Sequence, residues 1–182
     1  MALVILLAGF NHARAALAAP QTNMPFVAAE LVAQARPGDL ILVCPWYYRV
    51  SLGRYYRGPV EVTSVPPLSD VRVHRYDLLK TAMSNPVALD ALLAQLRAVL
   101  TGGGRVWLAG VLDSAAGSAP PARLPPPPLP VTGWNSGPYE LSWTLEVTAF
   151  LAAHSTGATT VAVPRAAGSF EDAGLMMLWG WR

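Results

Sequence analysis

The chain has 182 residues, 53% hydrophobic and 13% charged, with a mean hydropathy of +0.35. That length suits one domain with a sizeable core. A charge content well under the usual figure of about 25% points to a domain lying against something apolar or cut from a membrane protein, or else to a coding bias toward Ala, Pro, Gly and Arg. The net charge of +2 rests on scattered arginines and one lysine, Lys80, which form no basic stripe for nucleic acid. The single cysteine, Cys44, excludes an intrachain disulfide and any multi-cysteine metal site.

Residues 1–10 are almost purely apolar, and Asn11, His12 and Arg14 interrupt the run before alanines carry it to Pro20. A membrane helix needs about 20 such residues. Three readings stand for segment 1–20. It is the last part of a membrane helix, a secretory leader with small residues at 16–19 but no Lys or Arg ahead of its apolar core, or a buried first element. Residues 21–182 then form one α/β domain.

Thr22-Asn23-Met24-Pro25 is a helix start, and the helix over 26–35 is stopped by Pro37-Gly38. The apolar run 39–44 predicts a strand buried on both faces. An aromatic helix follows over 46–57, closed by Gly58-Pro59, and then a strand over 60–65 rich in β-branched residues. The alternation in 71–76 predicts another short strand. Asn85-Pro86 opens the clearest helix, in which Leu89, Leu92, Leu93, Leu96, Val99 and Leu100 recur at three- and four-residue steps. Gly102-Gly103-Gly104 ends it. A third buried strand covers 105–112, and a Pro-rich loop runs over 114–131 with Pro125 to Pro128 in a row. This loop is a plain connection or an extended segment that docks in an aromatic groove. A helix over 138–154 and two mutually antiparallel strands, 158–163 and 175–181, close the chain. Alternation of strands and helices predicts a three-layer Rossmann-like sheet, mostly parallel with an antiparallel C-terminal edge.

Candidate chemistry is sparse. The glycine triplet leaves a helix and enters a strand, whereas phosphate loops leave a strand and enter a helix, so it is a turn. The turn after the first strand, Cys44-Pro45-Trp46-Tyr47-Tyr48, holds the position where doubly wound sheets bind ligands. It has no glycine to admit a pyrophosphate. Trp46 and Tyr47 are either a stacking surface for a sugar or lipid head group, or a packed aromatic cluster. Asp113 and Ser114, at the end of the third strand, add polar contacts to that surface or cap the loop. Cys44 as a nucleophile needs a neighbouring base, and none of His12, His74 and His154 has a spacing that supplies one. The histidines are too dispersed for a metal, and Glu61, Asp70 and Asp77 can be drawn as an acid pair only if the fold joins two of them. No catalytic residue, metal ligand or cofactor site is assigned.

The run of a helix, Arg36-Pro37-Gly38-Asp39, an apolar strand and a Tyr-rich helix with Gly53-Arg54-Tyr55-Tyr56 resembles the region after the last membrane helix of GT-C-type polytopic glycosyltransferases, which use polyprenyl-phosphate sugars. Arg105-Val106-Trp107-Leu108 is similar to a later strand of that family. The resemblance covers residues 1–112 best. It implies an extracytoplasmic α/β domain. The family's catalytic acidic residue lies between membrane helices absent from this sequence, so no residue here inherits that role. The expectation is an accessory domain, membrane-associated on the extracytoplasmic side. Its partners would be the membrane surface, the membrane part of such an enzyme, or a polyprenyl-phosphate sugar. The alternative is a free-standing, cytoplasmic α/β enzyme or ligand-binding protein with its site at the carboxyl ends of strands 39–44 and 105–112.

Overall fold

The computed structural model describes residues 22–111, 121–165 and 171–182. Segment 1–20, the first part of the Pro-rich loop, Asp113 and Ser114 lie outside the described residues. Asn23 accepts from the Ala173 amide (2.8 Å) and donates to the Ala173 carbonyl (2.8 Å), tying helix α1 (Met24–Gln34) to the C-terminal strand. Strand β1 (Leu40–Cys44) is buried at every position, as its unbroken apolar run requires. Helix α2 (Tyr48–Tyr55) is shorter than the sequence suggests. Trp46 belongs to a turn in which the Tyr48 and Arg49 amides reach back to the Pro45 and Trp46 carbonyls, and Tyr56 leaves in an extended conformation. Strand β2 (Glu61–Ser64) follows.

Residues 71–76 are not a strand. Asp70 accepts from the Arg72 amide (3.1 Å), the Arg72 side chain and Arg75 Nη1 (2.9 Å), which folds the segment into bends, and Tyr76 already opens helix α3 (Tyr76–Met83). Sequence periodicity missed this helix because only Leu79 and Met83 of it are buried. Helix α4 (Asp90–Thr101) starts a turn later than expected, since Asn85 Oδ1 caps the Val87 amide and holds residues 85–89 in a turn. Strand β3 (Arg105–Gly110), helix α5 (Gly137–His154), strand β4 (Gly157–Val161) and strand β5 (Gly174–Trp179) complete the order.

The five strands form one sheet in the order β2-β1-β3-β5-β4. β2 and β3 run parallel to β1, while β5 is antiparallel to both of its neighbours, β3 and β4. Four strands therefore share a direction and β5 alone is reversed. The antiparallel pairing lies at the C-terminal edge of the sheet, as expected, with β5 inside and β4 outermost. β5 brings Leu175, Met176, Met177 and Leu178 and fits the interior of the sheet. β4, with Thr159 and Thr160 exposed, takes the edge that a polar strand tolerates.

Strand alternation sends β1 side chains to opposite faces. Leu40, Leu42 and Cys44 join Leu79 and Met83 of α3, Leu92, Leu96 and Leu100 of α4, and Trp143, Val147 and Leu151 of α5. Ile41 and Val43 join Trp107 and Leu175, packed against Met24, Val27 and Leu31 of α1 and Tyr48 and Leu52 of α2. The described part of the Pro-rich loop is strapped to this body. Arg123 pairs with Asp90 (2.7 Å) and Glu146 (2.7 Å), Tyr139 donates to the Pro125 carbonyl (2.8 Å), and Leu124 and Leu129 pack on the core. Gly104 approaches the Gly38 carbonyl too closely for any side chain, and Gly103 has φ +79°, so the glycine triplet is the turn that joins α4 to β3.

At the amino ends of β1 and β3, Asp39 accepts from the Arg36 amide (2.9 Å), the Arg105 amide (3.0 Å), Arg105 Nη2 (2.7 Å) and Trp107 Nε1 (2.9 Å), with its side chain 4% exposed. Burial pushes its pKa up, but the hydrogen bonds from Arg105, Trp107 and the Arg36 and Arg105 amides outweigh it and hold the carboxyl below its ordinary value. A depressed folded pKa stabilises the protein at pH values above the unfolded carboxyl's, and this stability is lost as pH falls through the folded value. Asp39→Asn should therefore cost about 3 kcal/mol in urea unfolding at pH 7. The loss relative to wild type should shrink as both proteins are taken below about pH 4. Removing residues 175–182 takes out a strand bonded on both sides. Calorimetry of that truncated chain should show no cooperative transition.

Candidate functional site

The carboxyl end of β1 runs into Pro45, Trp46 and Tyr47, and here an aromatic cluster forms. The Trp46 ring is fully buried and meets three rings edge-on: Tyr76 at 5.4 Å, His74 at 5.7 Å and Tyr47 at 6.1 Å between centroids. Tyr47 is half-buried and packs edge-on to Tyr48 at 5.1 Å. Burial, with the Tyr48 hydroxyl and Glu140 as smaller contributors, raises the Tyr47 phenol and keeps it a neutral hydrogen-bonding group. Trp46 Nε1 is buried and has no partner among the described residues. Of the two described residues expected at this site, Trp46 thus presents no open face, while Tyr47 is partly accessible.

The accessible rings are His74 and Tyr76, the latter 58% exposed, and the sequence did not single out either as part of this surface. They reach Trp46 because the bends at 70–75 and the start of α3 fold back over the end of β1. A network of ions stiffens that connection: Arg75 pairs with both Asp70 (2.9 Å) and Asp77 (2.6 Å), and Arg72 adds a second contact to Asp70 (3.1 Å). Hydrogen bonds from Arg75 pull the Asp77 carboxyl down to about 2, and those from Arg72 and then Arg75 hold Asp70 lower still. Neither carboxylate is a proton donor near neutral pH. Glu61 sits at the start of β2, at the other end of the sheet, bonded to Gln95 (3.0 Å), while Asp70 and Asp77 share Arg75 and are both held ionised.

Cys44 lies beneath the cluster. Gly110 (φ +136°) presses against its carbonyl from β3, and Thr144 Oγ1 sits 3.1 Å from its sulfur. Burial pushes the thiol up to about 11. The Thr144 contact opposes this weakly, and Glu140 adds to it. A neutral, inaccessible thiol is no nucleophile. Among the described residues no three His, Cys, Asp or Glu side chains gather as metal ligands, and no helix is long and apolar enough to cross a membrane. Comparison with protein-family models, curated proteins and solved structures finds no match. The surface offers ring faces and hydrogen-bonding groups, which suit non-covalent recognition of a ligand with both apolar and hydroxylated faces.

Cys44 should resist alkylation by iodoacetamide at pH 8 in the folded protein and react within minutes once urea unfolds it. Labelling of the native chain at the rate of a free thiol would contradict the buried geometry.

Proposed function

We propose that this chain is an accessory α/β domain of the kind found at the tail of membrane glycosyltransferases, with helices on both faces of its sheet in a three-layer, Rossmann-like arrangement. It holds an acceptor or a lipid-linked sugar against the aromatic surface at the carboxyl end of β1 and transfers nothing itself. Its place is on the extracytoplasmic side, membrane-associated through its N-terminal segment. The observation that carries this reading is the exposed pair His74 and Tyr76, fixed edge-on over Trp46 where open α/β sheets bind ligands. Aromatic rings suit a sugar, whose C–H faces stack while its hydroxyls bond to the polar groups around them. The family-like segment supports the architecture: Arg36 and Asp39 bond to each other at the entry to β1, and Tyr56 accepts from the Val60 amide (3.1 Å) at the exit of α2.

The enzymatic alternative loses its support at Cys44, whose thiol is buried and bonded to a threonine. Titration of the isotope-labelled chain with neutral oligosaccharides of pyranose and furanose sugars tests the proposal. Resonances of His74, Tyr76 and Tyr47 should shift together. Tyr76→Ala should weaken binding about tenfold, the loss of one stacking contact, with the melting temperature unchanged because the ring is more than half exposed. Tyr55→Ala, at an exposed ring on α2, should bind as wild type does. Shifts spread evenly over the surface, or none at all, would remove the sugar-binding assignment.

A further inference from the structure

A second surface lies further along α3. Tyr76, Lys80 and Ser84 follow one another at four-residue steps, so they share one side of the helix at about 6 Å per step. Facing this side is Trp134, half exposed, on the turn after the Pro-rich loop. There the Gly133 amide donates to the Leu129 carbonyl (2.7 Å) and the Asn135 amide to the Thr132 carbonyl (3.0 Å). Lys80 Nζ stands 5.9 Å from the centre of the indole ring. Lys80, Thr81, Ser84 and Trp134 line an open groove of about 410 Å³.

Single exposed apolar residues are ordinary, but this tryptophan is matched to an available charge. Lys80 is the only lysine of the chain. Among the described residues it makes no ion pair, a state it shares with Arg36, Arg49, Arg54, Arg57, Arg97 and Arg182, but of these cations it is the one set against the exposed Trp134 ring. Its contact with the ring leaves the three ammonium donors for an anion. Thr81 and Ser84 donate their hydroxyl protons to the Asp77 and Lys80 carbonyls, which leaves oxygen lone pairs turned to solvent. The site thus combines one flat apolar face, one cation and two acceptors.

We propose that Lys80 and Trp134 form a subsite for a sugar bearing an anionic group, with the ring stacked on the indole and its phosphate or carboxylate paired with Lys80. A bare anion is the poorer occupant, because a single exposed ion pair is weak. A nucleic-acid strand needs several cations in a row, and this groove has one. The assignment rests on the sugar-binding reading above and extends it, since Tyr76 heads the same side of α3.

The test uses the full chain, following indole and lysine resonances during titration with glucose 1-phosphate, glucuronate, glucose and inorganic phosphate. The two anionic sugars should shift Trp134 and Lys80 and bind at least tenfold more tightly than either glucose or phosphate. Lys80→Gln should erase that preference while leaving glucose binding unchanged, and Trp134→Ala should weaken every sugar but not phosphate. Inorganic phosphate binding as tightly as glucose 1-phosphate would overturn the subsite, as would an unaltered preference in Lys80→Gln. Phosphatidylglycerol vesicles that sediment the wild type but not Lys80→Gln, with no response to glucose 1-phosphate, would replace the sugar with a lipid surface. Neutral oligosaccharides acting at Tyr76 in Lys80→Gln would show that the first site stands whatever becomes of the second.

Discussion

A buried carboxylate needs a full set of donors, and the way Asp39 obtains them organises the sheet. Its partners come from the turn before β1, from the backbone and guanidinium of Arg105 at the start of β3, and from the indole of Trp107 in the core. Arg105 extends the link by donating to the Gln34 carbonyl at the end of α1 (2.7 Å) and by lying 5.1 Å over the Trp107 ring. Charge-assisted bonds of this kind offset the desolvation of both ions only while all of them are made. They also fix the pairing of Leu40 with Val106, and with it which β1 and β3 side chains enter each of the two core clusters.

The two ends of the sheet consequently differ in kind. At the amino end the polar groups are spent on one another, and the groove that the glycine turn leaves there is lined by Asp39 and Arg105 in mutual contact. At the carboxyl end the chain offers rings, a stiffened run of bends and a helix face whose polar groups still have capacity. Arg36-Pro37-Gly38-Asp39 belongs to the first end and serves the fold. The surfaces proposed for recognition lie instead at residues 70–84 and 134.

Much of the architecture was legible because burial on both faces leaves a plain mark. Leu40 to Cys44, Val106 to Ala109 and Leu175 to Leu178 are all apolar without interruption. The α4 leucines announce their helix by spacing. Residues 71–76 misled because Val-Arg-Val-His-Arg alternates like a strand, while its true conformation is set by Asp70 and Asp77 reaching arginines two and five residues away. Such pairings have no periodicity to detect. The aromatic cluster after β1 could be read from Trp46 and Tyr47, but its accessible rings could not. His74 and Tyr76 arrive through a connection whose path depends on those ion pairs. Two of the partners of Asp39, Arg105 and Trp107, lie more than sixty positions along the chain and were equally invisible.

The strand order also bears on how the chain meets the cell as it is made. β3 leaves the ribosome long before β5, and until β5 arrives one whole side of β3 has its amides and carbonyls unpaired. Such an edge is a template for any other extended chain nearby. The nascent protein therefore passes through an interval of adhesiveness during the synthesis of the Pro-rich loop and α5. That interval ends when a single reversed strand slides between β3 and β4 and seals both at once.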